Sequence, residues 1–577
     1  MSKKTITNSL ALLLSFSLLA ACEKAEKPEV KPEAMPTKAE TNSDQDKIQK
    51  TTNTVVKSNF EEVYNSFDLD FYKANVKILA SDDFTGREPA TEGGKKTTDF
   101  ITEQFKNAGL MPGNGDSYLQ QVPLISIEAD ANMELTLGDE KLKYFDEFVA
   151  GTSKSVERAE LKDSELVFVG YGVVAPEYGW NDYAGIDMKG KTAVILVNDP
   201  GFMTEDPELF QGRTMTYYGR WTYKYEEAGR QGAAGAIIVH DTAPASYGWG
   251  VVSNSWSGAQ YQLADAGDEP KPDVEAWITL DKAKALFKRS GLDFEKEQAK
   301  ALTREFQPVT LDQTASVAFT NSIKRSQSAN VIATLKGSEK PEEHVIYMGH
   351  WDHLGLKAHF EGDQIFNGAI DNATGISGII SIAKAFNKVN IKPKRSVTFM
   401  AITAEEQGLL GSKYFAANPT VTTKNIVGAF NIDSMNVSGR VNDLTVVGFG
   451  KSELEQYVTK AAKRQNRVTK VEADPSRGGY YRSDHFSLAK KGVPAIFAGG
   501  GSDFVEEDKA MAEKWNALRG KCYHQLCDEY QEGWAWNAAM QDVKILFEAG
   551  YLLSTDNNYP NWYKGTEFKA IRDKDRQ

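Results

Sequence analysis

The stretch from 345 to 436 sets tight limits on what this chain can become. Apolar runs there end in residues of the kind that bind metals. They read Val345-Ile-Tyr-Met-Gly-His350-Trp-Asp352-His353, Asn367-Gly-Ala-Ile-Asp371-Asn-Ala-Thr-Gly375, Val397-Thr-Phe-Met-Ala-Ile-Thr-Ala-Glu405-Glu406 and Phe430-Asn-Ile-Asp433-Ser-Met435. Ligands just past apolar strands fall where open α/β sheets form their binding crevice. Strands expected at 345–348, 396–402, 426–432, 444–447 and 493–497 alternate with helical stretches such as 375–389, whose Ile379, Ile382, Ala383 and Phe386 share a face. The pattern implies an α/β fold, a mixed sheet with helices on both faces.

A hydrolytic two-metal site needs a bridging carboxylate, one nitrogen and one further carboxylate per metal, and a base beside the open position. Asp371 is the natural bridge, because it precedes Asn-Ala-Thr-Gly at a helix start. His350 with Asp433 completes one metal, and Glu406 with a distant histidine the other. That histidine is read as His524, in Cys522-Tyr-His-Gln-Leu-Cys527; His353 and His485 are the alternatives, or partners of the ligands. Glu405, left without a ligand role, is the general base. Asp352 is placed to accept the other imidazole N–H of His350.

At 577 residues the chain exceeds one core, and about 100–200 residues per domain suggests two or three domains. A net charge of −13 without a long basic run argues against nucleic acid as a partner. Residues 1–21 read as a signal peptide, with Lys3 and Lys4 before an apolar core from Leu10 to Leu19 that is too short for a span of about 20 residues. Leu19-Ala-Ala-Cys22 resembles the bacterial lipobox, which implies that Cys22 becomes the lipidated first residue of an outer-membrane lipoprotein facing the periplasm or the cell surface. The lipid would be its only membrane attachment. Setting Cys22 aside leaves Cys522 and Cys527, an even pair expected to bond in an oxidising space.

Residues 22–58, rich in Lys, Glu, Pro and Thr, read as a disordered tether. Residues 59–129 form the first part of the catalytic domain, with packing helices at 71–80 and 93–108. From 130 to 312 short β-branched runs, turns and aromatics suggest a separate domain. Its Glu165-Leu-Val-Phe-Val-Gly-Tyr-Gly172, Gly190-Lys-Thr-Ala-Val-Ile-Leu-Val197 and Gly232-Ala-Ala-Gly-Ala-Ile-Ile-Val239 resemble the protease-associated domain, a β-rich module without chemistry of its own. Two readings stand for the aromatic stretches 217–225 and 247–256: a groove facing the catalytic domain, or ordinary core. Residues 313–577 are the main part of the catalytic domain.

His350-Trp-Asp352, Asp371-Asn-Ala-Thr-Gly, Glu405-Glu406, Asn431-Ile-Asp433 and Tyr523-His524 resemble the M28 family of zinc exopeptidases, in the family's order. The resemblance implies two zinc ions, with Co or Mn also accepted by such ligands. It further implies peptide substrates, a zinc aminopeptidase activity using a metal-activated water, and a cis peptide after Asp371. Tyr523 and Arg482 would orient or polarise the substrate carbonyl. A carboxypeptidase of the glutamate-releasing type shares the metal site and the insert, a glutaminyl cyclase works with one metal, and a receptor-like relative has lost its catalytic site. The complete ligand set favours the enzyme.

Overall fold

The computed structural model describes residues 58–264, 270–357 and 362–577. The signal peptide, Cys22 and the tether up to residue 57 lie outside the described residues. Among the described residues no helix is long and apolar enough to cross a membrane.

Strands form where the chain is apolar towards both faces. In Lys340–His350, Val345 and Tyr347 enter the core on one side of the sheet, while Ile346 and Met348 enter that on the other. That is the period-two alternation of an extended chain. Four strands run parallel in the order Arg395–Ile402, Lys340–His350, Ile426–Asn431 and Ala495–Gly499. Antiparallel neighbours flank them, Val309–Leu335 beside Arg395–Ile402 and Asp443–Val447 beside Ala495–Gly499. Helices Leu69–Leu79, Glu92–Asn107, Thr374–Lys388 and Trp536–Thr555 cover one face through Val76, Phe105, Ile379 and Phe547. The short helices Leu410–Ala417 and His485–Ala489 cover the other through Phe415 and Leu488. The architecture is the mixed α/β sheet that the sequence implied.

Residues 130–320 build a second sheet. Arg158–Phe168, Thr192–Leu196, Gly235–His240 and Val274–Thr279 are parallel neighbours in that order. Helix Leu280–Arg289 packs on one side through Leu286 and Phe287, and helix Trp221–Arg230 on the other through Tyr225 and Ala228. A module expected to be β-rich is therefore itself a layered α/β unit. Its helix Trp221–Arg230 begins with aromatics of strand preference, and packing overrides that preference.

The boundary expected at 312/313 falls inside one continuous strand, Val309–Leu335. Its first part pairs with Arg158–Phe168 in the second sheet, and its second part with Leu119–Ala129 and Arg395–Ile402 in the first. No glycine or proline interrupts it, so the backbone runs from one sheet into the other without a hinge. The insert also returns a strand, Ala259–Leu263, to the outer edge of Leu119–Ala129.

Candidate metal centre

Three adjacent parallel strands deliver their next residues to one crevice: His350 ends the first, Glu405 and Glu406 follow Ile402, and Asp433 follows Asn431. Asp371 comes from the turn before helix Thr374–Lys388, and the Asp371–Asn372 peptide is cis. His524 comes from the loop after helix Lys509–Cys522, where Cys522 and Cys527 are bonded with their Cα atoms 5.1 Å apart. Ala404, Ser434 and His524, each a ligand or next to a predicted site residue, have φ of 52°, 56° and 55°. Non-glycine residues adopt that region where the surroundings over-determine it, as at functional sites.

Asp371 faces two ways. Its Oδ1 lies 3.2 Å from His350 Nε2, which is 3.5 Å from Asp433 Oδ1. Its Oδ2 lies 3.2 Å from His524 Nε2, which is 3.0 Å from Glu406 Oε2. One carboxylate thus links two His–carboxylate pairs, the arrangement expected of a bridging ligand. The ring nitrogen of His524 is buried yet makes no hydrogen bond of acceptable geometry, although two carboxylates stand beside it. A nitrogen and oxygens converging on a common point without hydrogen-bonding fit a shared cation. His350, Asp371 and Glu406 offer ligand atoms all within 4.8 Å of one another.

The electrostatics match. Against the upward push of burial, His350 and His524 hold the Asp371 carboxyl well below its usual range. Burial pushes Glu405 well above that range; His350 opposes the shift, while Glu406, Asp484 and Asp433 add to it. Burial and Asp371 push the neighbouring Glu406 up, but His353 and His524 outweigh them and hold it below the usual range, so the two adjacent glutamates differ in proton affinity.

Several neighbours position these groups. Asn372 donates its Nδ2 to Ile432 O at 2.9 Å and to His350 O at 3.3 Å, while its Oδ1 accepts from Ser434 N. Asp528 accepts from Ile370 N and Asp371 N. His353 Nδ1 lies 2.7 Å from Glu406 Oε1, which makes it a partner of a ligand. Ser483 Oγ donates to Asp433 Oδ2 at 2.7 Å. Gly368 has φ 53°, and a Cβ there would come within 2.3 Å of Asp371 O and 2.5 Å of the His353 ring. Arg87 is fully buried and donates to Trp351 O, Leu79 O, Asn367 O and Gly368 O at 2.6–2.8 Å and to Asp371 O at 3.4 Å.

One expectation needs correction. The imidazole of His350 is held by the backbone carbonyl of Asp352, 3.1 Å from Nδ1, whereas the Asp352 carboxylate is 4.0 Å away. That carboxylate instead accepts from Glu405 N and Glu406 N, because the chain turning out of the strand aims it at the neighbouring loop. Arg482 has its Nε donating to Arg477 O at 3.0 Å, and the next residue, Ser483, is the one that bonds Asp433. Tyr523 is exposed, its ring stacked on His524 at 3.9 Å. His485 is buried, its ring nitrogens unpartnered and its pKa pushed down to about 3 by burial, so it is neutral and outside the ligand set.

The aromatic stretch at 217–225 is mostly core, as Tyr218, Tyr223 and Tyr225 are buried inside the insert. Asn372, Asp528, Ser483 and Arg87 had no assigned role from sequence. The first three flank ligand motifs, which is the signal that could have found them; Arg87 has none.

Residues 330–547 match the model of peptidase family M28. The chain is 35% identical over 109 residues to a probable zinc metalloprotease of Pyrenophora teres f. teres (strain 0-1), covering 19% of this chain and 23% of that protein. It is 30% identical over 173 residues to leupeptin-inactivating enzyme 1 of Streptomyces exfoliatus, covering 29% and 38%. The chain thus spans less than two fifths of the length of these curated relatives. Among solved structures, an aminopeptidase from Aneurinibacillus sp. strain AM-1 superposes with a TM-score of 0.47 at 20% identity, covering 86% of this chain and 97% of that one.

Proposed function

We propose that this protein is a metal-dependent exopeptidase that removes N-terminal residues from peptides, with His350, Asp433, Asp371, Glu406 and His524 holding two zinc ions. The observation that carries the reading is Asp371, with one oxygen towards each His–carboxylate pair. Ions bound there supply the Lewis acidity that makes water a nucleophile at neutral pH. Glu405, its proton affinity raised by burial, takes the proton from the attacking water and returns it to the leaving amine. Tyr523 bears a phenol that ordinarily titrates near 10, so its hydroxyl is a donor at neutral pH and supports the developing oxyanion. Asp352 fixes the turn that carries Glu405 and Glu406. The carboxylates around the crevice suit a substrate ammonium.

The reading extends to the amino terminus, where Cys22 would carry the lipid anchor; Cys22→Ser should release the protein from the membrane fraction. The test of function is a six-residue peptide in free, N-acetylated and C-amidated forms, followed by mass spectrometry. Shortening from the N-terminus, blocked by acetylation alone, supports the reading. Blocking by amidation alone would replace it with a carboxypeptidase.

A further inference from the structure

The described chain enters the folded body beside the loop that follows helix Thr374–Lys388. Asn59 N donates to Asn390 Oδ1 at 3.1 Å, Asn390 N donates back to Asn59 Oδ1 at 2.9 Å, and Asn59 Nδ2 reaches Lys388 O at 3.1 Å. Phe60 then stacks on Tyr551 with ring centroids 4.8 Å apart, and the Tyr551 hydroxyl donates to Ile391 O at 3.2 Å. Entry point and loop are thereby fixed to each other.

That loop reads Lys388-Val-Asn-Ile391-Lys392. Val389 is buried and anchors it, whereas Ile391 is 41% exposed between two exposed lysines. One turn back along the helix, Lys384 lies over the Phe71 ring at 3.8 Å, and with Lys388 it lines a groove whose other walls include Val63, Phe67, Phe71 and Ala385. Among the described residues none of Lys384, Lys388 and Lys392 has a carboxylate within ion-pairing distance, although the chain as a whole carries −13. Glu61 pairs with Arg464 at 2.6 Å and Asp68 accepts from Phe71 N at 2.9 Å, which leaves Glu62 and Asp70 on helices Phe60–Asn65 and Leu69–Leu79 against the three lysines. Unpaired cations and exposed apolar surface thus coincide where the chain runs back towards Cys22.

An apolar side chain between lysines suits the boundary of a bilayer, where it enters the acyl region while the ammonium groups stay at the level of the phosphates. A protein partner suits these residues less, because lysine is depleted in packed interfaces. An acidic chain is repelled as a whole by an anionic surface, so a face with excess cations is the one turned towards it.

We propose that Ile391 with Lys384, Lys388 and Lys392 forms a docking face for anionic phospholipid, holding the body against the bilayer in which Cys22 is anchored. The inference goes beyond the peptidase activity and rests on the lipid anchor proposed above. That anchor makes the encounter intramolecular, at an effective concentration on the order of millimolar, so a weak contact suffices. Each lysine near an anionic surface favours docking by about fivefold. Helix Thr374–Lys388 runs from the turn that holds Asp371 to this loop, 15 residues or about 22 Å away. Docking therefore turns the metal crevice away from the bilayer, towards soluble peptides.

The lipidated protein would be reconstituted on vesicles of phosphatidylcholine with and without phosphatidylglycerol, carrying an environment-sensitive fluorophore on I391C. Cys22 is then blocked by its lipid, and Cys522 and Cys527 by their bond. On anionic vesicles the emission should shift to the blue and lose the shift at high salt, while a label on V156C, exposed in the insert, should stay solvent-like. K388Q/K392Q should lower the ratio of docked to undocked protein by about 25-fold, two lysines at about fivefold each. No shift at 391, equal shifts with and without phosphatidylglycerol, or a shift that K388Q/K392Q leaves intact overturns the docking face and leaves the anchor standing. A shift that follows the density of protein on the vesicle rather than lipid charge assigns the face to a second copy and overturns it too. Wild-type protein that does not float with the vesicles overturns the anchor and the docking face together.

Discussion

Replacing Arg87 with Met should loosen the metal centre from outside it. The guanidinium satisfies four carbonyls at 2.6–2.8 Å, and three of them belong to Trp351, Asn367 and Gly368, in the loops that carry His350, His353 and Asp371. Leaving each carbonyl unpaired costs about 1 kcal/mol, so the change removes roughly 4 kcal/mol. Unfolding entropy is about 2.1 cal/mol/K per residue, so roughly 500 folded residues lose about 4 °C of Tm. Because the orphaned carbonyls line the ligand loops, zinc affinity should also fall by about tenfold or more, as when groups orienting metal ligands are removed. R87K, with three donors on a point charge, should recover part of both. Differential scanning calorimetry and zinc titration against a competing chelator read the two effects. A Tm within about 1 °C of wild type, with unchanged zinc retention, would refute the view that these carbonyls depend on Arg87.

Glu405→Gln should lower peptide turnover by about 10²–10⁴-fold while zinc content stays at the wild-type level, measured by kinetics beside metal analysis. Replacing Cys522 and Cys527 together with Ala frees the loop that holds His524, and should weaken metal binding by about tenfold or more; a chelator titration indistinguishable from that of the wild type would reject this. Glu275, buried with Ser153 donating at 2.7 Å, has its carboxyl pushed up to about 7, chiefly by burial. A raised carboxyl pKa gives stability that is complete below the unfolded value and lost as pH rises through 7. Glu275→Gln should therefore stabilise the protein at pH 8 by about 3 kcal/mol and leave it unchanged near pH 4, read as Tm against pH.

The parts of the fold legible in the sequence are those where burial on both faces leaves an apolar run. Val345–Met348 and Val397–Ile402 announce central strands, and Ile379 with Phe386 a packed helix. Val309–Leu335 was not legible, because its exposed faces carry Asp312, Lys324 and Arg325 and it reads as a boundary. The ligand types were legible because metal binding restricts a position to few side chains and the strand ends fix where they fall. What Asp352 and Arg87 do was hidden, since their partners are backbone N–H and C=O groups, which leave no mark on residue type.

The pairing of Ala129 with Asn321 has a consequence for how the chain assembles. To the first sheet, everything between these two residues is a hairpin loop of roughly 190 residues. Compared with a four-residue turn, closing so long a loop is harder by only about 3 kcal/mol if the intervening chain is a coil. A folded insert brings its ends together and removes even that. The second sheet thus acts as a very large, ordered turn, and the last ladder of the first sheet should zip only after it has formed.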